Sequence, residues 1–167
     1  PADGNGVRPV ARARDTADNP TPSGTACLVA ALRLVGLLAD RSDFEVRAER
    51  AAATLLGVLQ AAPRFAGWAF VDALIADQAA KRLAPAVAVL VTPDGAQLTE
   101  LTRAAARMAP AGTALVAGPA GTRGFAHHFD DRDVRDGETT AYVCRGTVCF
   151  APATDVRELR AALWKRT

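Results

Sequence analysis

Apolar residues along this chain follow two rhythms, a helical one in the first half and a strand-like one in the second. Leu28, Ala31, Leu32, Val35 and Leu38 recur at three- and four-residue intervals, which predicts a helix over about 22–39 with one buried face. Pro22 suits the first helical position, and Thr21 is placed to cap the free amides. A second stripe, Phe44, Ala48, Ala51, Leu55, Val58 and Leu59, predicts a helix over about 43–61. Its entrance, Ser42-Asp43-Phe44-Glu45, has the form of a capping box, in which hydroxyl and carboxylate reciprocally satisfy free amides. A third helix is expected after Pro63, carrying Phe65, Trp68, Val71, Leu74 and Ile75 toward Arg82. The intervening loops are short, which favours antiparallel helical hairpins.

Beyond residue 85 the period changes. Ala86-Val87-Ala88-Val89-Leu90-Val91 is a continuous β-branched run, as expected of a strand buried on both faces. Thr92-Pro93-Asp94-Gly95 punctuates it, a helix is predicted over about 95–108, and Thr113 to Ala117 is a second buried strand. Strand, helix, strand implies a parallel crossover. Residues 118–138, rich in Gly, Asp and Arg, predict a solvated loop. Thr140 to Cys144 and Thr147 to Phe150 read as a hairpin. A last helix opens at Thr154-Asp155, with Glu158 completing its start, and buries Val156, Leu159, Leu163 and Trp164. The fold class is mixed α and β. Residues 1–17 form an extended or disordered lead-in, 18–84 a helical hairpin region, and 85–167 a C-terminal α/β unit with a parallel strand pair and a terminal hairpin.

Composition narrows the function classes. A chain of 167 residues can bury a sizeable core. The net charge is only +2 and the basic residues are dispersed, so there is no electrostatic case for nucleic-acid binding. Arginine supplies 18 of the 20 basic residues, a bias expected of GC-rich bacterial coding. No run reaches the ~18–20 apolar residues of a membrane span. The opening Pro1-Ala2-Asp3-Gly4 lacks an initiating Met and an apolar h-region, so no signal peptide is expected and the start reads as internal to a longer polypeptide. Three cysteines form no disulfide framework, and a reducing cytoplasm is the expected setting.

Four groups of residues could carry chemistry. Cys144 and Cys149 could ligate zinc only with a second ligand pair, which the sequence does not supply. If Arg145-Gly146 is the hairpin turn, the sulfurs sit diagonally, with Cα atoms ~7–8 Å apart, marginal or too far for a bridge. A four-residue loop would place them opposite one another. The expectation is free, half-buried, reduced thiols, with a redox pair as the alternative. Asp18 and Ser23, with Asn19 and Gly24, either cap a helix start or form a polar cluster offering free amides to an anionic or hydroxylated ligand. His127 and His128 with Asp130, Asp131 and Asp133 fit a solvated charged loop better than a metal site. Gly118 to Gly124 lacks the Gly-Lys-Ser/Thr ending of a phosphate loop. No cofactor or metal is implied by any of them.

Two of these segments carry a resemblance. Asp18-Asn19-x-Thr21-Pro22-Ser23-Gly24 opening a Leu-rich helix, and Ala141-Tyr142-Val143-Cys144 followed by Cys149-x-x-Pro152 before a last helix, are similar to the C-terminal part of the YyaL-type proteins, which include a mammalian spermatogenesis-associated protein. The resemblance spans about residues 15–166. It implies an upstream thioredoxin-like domain and an α/α toroid like that of sugar epimerases and six-hairpin glycosidases, of which this chain would hold the last helices and a C-terminal α/β appendage. Thr25 and Pro20 depart from the pattern, where Asn and a small residue are usual. Cys144 and Cys149 are not equivalents of the redox pair of a thioredoxin-like domain.

Three function classes follow: a structural C-terminal portion without a complete active site, a sugar-binding or sugar-processing portion using the Asp18–Ser23 cluster, and a thiol redox module using Cys144 and Cys149. In the first, Leu28, Leu32, Leu55 and Leu59 lie on stripes that neighbouring hairpins would cover. The expected partner is then the upstream portion of the same protein or a second copy, with neither nucleic acid nor membrane.

Overall fold

The computed structural model describes residues 15–80, 86–93, 98–125 and 127–165. The expected lead-in therefore lies mostly outside the described residues, as does the helix start expected at 95.

Helix α1 runs from Gly24 to Ala39, two residues later than the pattern predicted. Ser23, not Thr21, is the N-cap: its backbone is extended and its hydroxyl accepts the Ala26 amide at 3.2 Å. The helix ends on Asp40 in the left-handed conformation, and the chain reverses at once into α2, Ser42–Ala53. That tight reversal leaves Ser42 inside the helix, so the expected capping box does not form. Arg41 occupies the cap position without a side-chain bond and instead clasps Asp43 through two hydrogen bonds of 2.6 and 2.9 Å.

The single helix expected over 43–61 is broken. Thr54 donates its hydroxyl to the Ala51 carbonyl at 2.7 Å, and the Thr54 and Leu55 amides reach back three residues rather than four. Such side-chain competition tightens and ends a helix. Helix α3, Leu56–Ala61, and a 3-10 turn over Pro63–Phe65 follow, and then α4, Gly67–Ala80. Ala26, Val29, Ala48 and Leu55 form the core of this helical layer. Leu55, on a stripe expected to stay uncovered, is buried, whereas Leu28 is half exposed.

Strand β1, Val87–Val91, pairs in parallel with β2, Ala114–Gly118, and α5, Glu100–Met108, links them. Strand β3, Thr140–Arg145, lies antiparallel on the other side of β1, and β4, Val148–Cys149, forms the edge. The sheet order is β2-β1-β3-β4. Alternation divides the side chains between two faces. Ala88, Leu90, Ala141 and Val143 meet α5 and α6, Val156–Trp164. Val87, Val89, Val91 and Tyr142 meet Leu37 and Leu38 of α1 and the segment carrying Phe125 and Phe129. The 118–138 stretch is thus not simply solvated, because Phe129 and His128 are buried in it. No described helix is long and apolar enough to cross a membrane.

Candidate functional site

Asp18 stands where two helices begin. Its Oδ1 accepts the Ser23 amide and its Oδ2 the Trp68 amide, each at 2.8 Å, while its own N–H donates to the Phe65 carbonyl. One carboxylate therefore fastens the N-terminus of α1 to that of α4, where unpaired amides and the helix dipoles favour negative charge. Burial alone would raise its pKa. The Ser23 and Trp68 amides, the Ser23 hydroxyl and the Gly67 amide more than offset this and hold it below the ordinary value of 3.8. Ser23 is 1% exposed. Asn19 is exposed, with its amide on the Thr21 carbonyl, and Gly24 opens α1 facing open space. Asp18 and Ser23 do come together, but both Asp18 oxygens and the Ser23 hydroxyl already hold backbone amides.

Cys144 and Cys149 are joined by a disulfide with an S–S distance of 2.03 Å. The expectation of free diagonal thiols is therefore corrected, and the reason lies in one residue of the turn. Gly146 has φ of +57°, the left-handed region that glycine tolerates. It takes the first central position of a two-residue turn, with Thr147 second, as in the type II′ hairpin. The turn thus sits one residue later than expected, which moves the partner of Cys144 by two residues, so that Arg145 faces Val148 and Cys144 faces Cys149. Phe150 donates to the Val143 carbonyl at 2.9 Å, so the next pair inward to the turn is a non-hydrogen-bonded one, where side chains approach most closely. The Cα atoms are 4.0 Å apart. A bridge between positions five apart closes so short a loop that its chain-entropy contribution is only about 2 kcal/mol.

A cation sits on this bond. Arg132 NH2 lies 3.4 Å from the Cys144 sulfur and 3.6 Å from that of Cys149. Its NH1 donates to the His128 carbonyl, and its guanidinium stands 5.8 Å from the Tyr142 ring centroid. The Tyr142 hydroxyl in turn donates to the Asp133 carbonyl at 2.8 Å. His128 anchors the same segment to α1, its Nε2 being 3.0 Å from the Leu37 carbonyl, which can only accept. No carboxylate pairs with Arg132 among the described residues. Arg145, adjacent in sequence to Cys144, points to the opposite face and donates to the Leu163 carbonyl at the end of α6. Its Nε and NH1 have no partner, and burial lowers its pKa from the usual range.

A third locus is a cavity of about 570 Å³ between α1, the start of α2, α4 and the turn before β2. Arg33 at its wall binds two carboxylates, Asp72 at 3.0 Å and Glu45. Thr113, whose hydroxyl is buried without a partner, borders the same space. Both acids are engaged by one guanidinium, so neither stands free for acid–base work. The sequence gives no sign of this triad, because the partners lie 12 and 39 residues apart.

His127 is exposed, 3.9 Å from Asp40, and no group of metal-holding side chains occurs among the described residues. Cys27 is an exposed free thiol on α1. Comparison with family models, with curated proteins and with solved structures finds no match to this chain.

Proposed function

We propose that this chain is the C-terminal part of a YyaL-type protein, in which its helices form one edge of a larger helical toroid and its sheet an appendage, a structural role without a complete active site. The observation that carries this reading is the uncovered apolar surface of α1 and α4. Helix α1 has one charged residue, Arg33, in its 16 positions, and α4 has two, Asp72 and Asp77, in its 14. Helices of that kind belong to interiors. Yet Leu28, Leu34 and Val35 of α1 and Trp68, Phe70, Val71 and Leu74 of α4 are each 40% exposed or more.

The proposed occupant is further helical hairpins of the same polypeptide. The exposed rows lie on two helices whose starts are fastened together by Asp18, and such rows pack into the grooves of other helices. Both segments that carry the resemblance also build complete local units, the Asp18 clamp and the disulfide hairpin.

The in-frame coding sequence upstream of Pro1 tests the placement. Helix-length apolar stripes at hairpin spacing are expected there, and a stop codon directly upstream overturns it. The 167-residue chain alone is expected to associate at micromolar concentration and to bind an apolar dye. Leu34→Glu combined with Leu74→Glu is expected to restore a monomer with unchanged circular dichroism. A monodisperse parent monomer that binds no dye refutes the uncovered face.

A further inference from the structure

We propose that Cys144–Cys149 is a thiol–disulfide exchange site, in which an external dithiol attacks the Cys149 sulfur and Arg132 stabilises the Cys144 thiolate that leaves. Three independent features converge on this bond.

The first is access. Strand β4 is the sheet edge, only two residues long and exposed at both. A reductant therefore reaches Cys149 without displacing the core. Cys144 is 8% exposed. The approach is asymmetric, and the exposed sulfur is the one attacked.

The second is charge. Arg132 NH2 is within 3.6 Å of both sulfurs, its NH1 is held by the His128 carbonyl, and no described carboxylate neutralises it. A cation within ~4–6 Å favours the charged form of an acid, here a thiolate. A leaving thiol of lower pKa departs faster. Burial of Cys144 acts the other way, and the guanidinium is the group that offsets it.

The third is the small structural consequence of opening the bond. The Gly146–Thr147 turn already closes the loop the disulfide spans, and β3 is paired along its length with β1. The sheet therefore survives reduction, which a cycling bond requires.

The exchange balances in two steps. A thiolate of the dithiol attacks Cys149 Sγ, the Sγ–Sγ bond breaks, and its electron pair departs on Cys144 Sγ beside Arg132. This leaves a mixed disulfide on Cys149. The second thiol of the reductant, deprotonated, attacks its own partner sulfur in that mixed disulfide and expels the Cys149 thiolate. Two electrons and two protons pass to the cysteine pair, and the dithiol becomes a disulfide.

The test uses the whole oxidised chain with dithiothreitol at neutral pH, quenched with a maleimide and read by mass. Reduction is expected with circular dichroism unchanged, and 2-mercaptoethanol is expected to leave its mixed disulfide on Cys149. Arg132→Gln is expected to slow reduction about three- to tenfold, with Arg132→Lys recovering part of the rate. In the reduced protein, the thiolate absorbance near 240 nm is expected to rise at lower pH in the parent than in Arg132→Gln. A rate indifferent to residue 132, an adduct on Cys144, or reduction only on unfolding overturns the proposal. Should Arg132→Gln fail to fold, the parent titration decides alone. A first midpoint clearly below the usual thiol value of about 8.5 supports the site, and one at or above it refutes it.

Discussion

Replacing Asp18 by alanine is the most direct test of how the helical layer is held together. The substitution removes both acceptors at once, leaving the amides of Ser23 and Trp68 without their 2.8 Å partners. Ser23 still caps α1, so what each helix start loses is one hydrogen bond to the carboxylate, about 1 kcal/mol, and loss of the charge adds about 0.3–1 kcal/mol at each. With two helices affected, the expected loss is about 2–4 kcal/mol at neutral pH. For a chain of this size that lowers Tm by about 5–15 °C. Asp18→Asn keeps one carbonyl oxygen and is expected to fall about midway. The sign with pH follows from the depressed pKa of Asp18, where burial acts upward but the amides dominate. A carboxyl that is more acidic folded than unfolded stabilises the fold above its ordinary value of 3.8, and that contribution disappears as pH falls through the folded value. The gap between parent and Asp18→Asn is therefore expected to be full near pH 6–7 and to shrink below about pH 4. Thermal unfolding followed by circular dichroism across that range measures it. A loss under about 0.5 kcal/mol, or a gap that does not change with pH, refutes the clamp.

Gly112→Ala places a methyl group where φ is +80° and where a Cβ would stand 2.5 Å from Ile75 Cγ2. Backbone strain and the clash with α4 together are expected to remove about 2–3 kcal/mol in urea unfolding. Leu159→Ala empties a fully buried position between α6 and the sheet, and a loss of about 2–5 kcal/mol is expected by the same measurement. Replacing both Cys144 and Cys149 by serine is expected to cost about 2 kcal/mol at most, with the fold retained. Complete unfolding of that variant would contradict the assignment of β3 to β1 as the dominant pairing.

What the chain encoded locally was legible from its pattern. The β-branched run at Val87–Val91 became a strand buried on both faces, parallel to Ala114–Gly118. The last helix began where Asp155 and Glu158 exchange bonds with nearby amides, at 2.8 and 3.1 Å. These features depend on side-chain period and on contacts within four residues, which the sequence displays directly. The break at Thr54 does not show in the pattern, because the apolar stripe continues through it and the hydroxyl that ends the helix leaves the period unchanged. The hairpin is legible in the sequence but its register is not. A turn placed one residue later, set by the positive φ of Gly146, moves the pairing by two residues and brings the cysteines opposite one another instead of diagonal.

Only the tertiary structure decided the two arrangements that matter most. Asp18 meets Trp68 across 50 residues, and Arg132 reaches sulfurs 12 and 17 positions away. Neither follows from spacing, because each depends on where packed elements finally lie. Phe129, buried against the sheet, and Phe125, partly buried beside it, draw the charged segment over β3 and carry Arg132 with them. Local backbone geometry fixed the elements of this protein, and burial of apolar surface between distant segments fixed which polar groups meet.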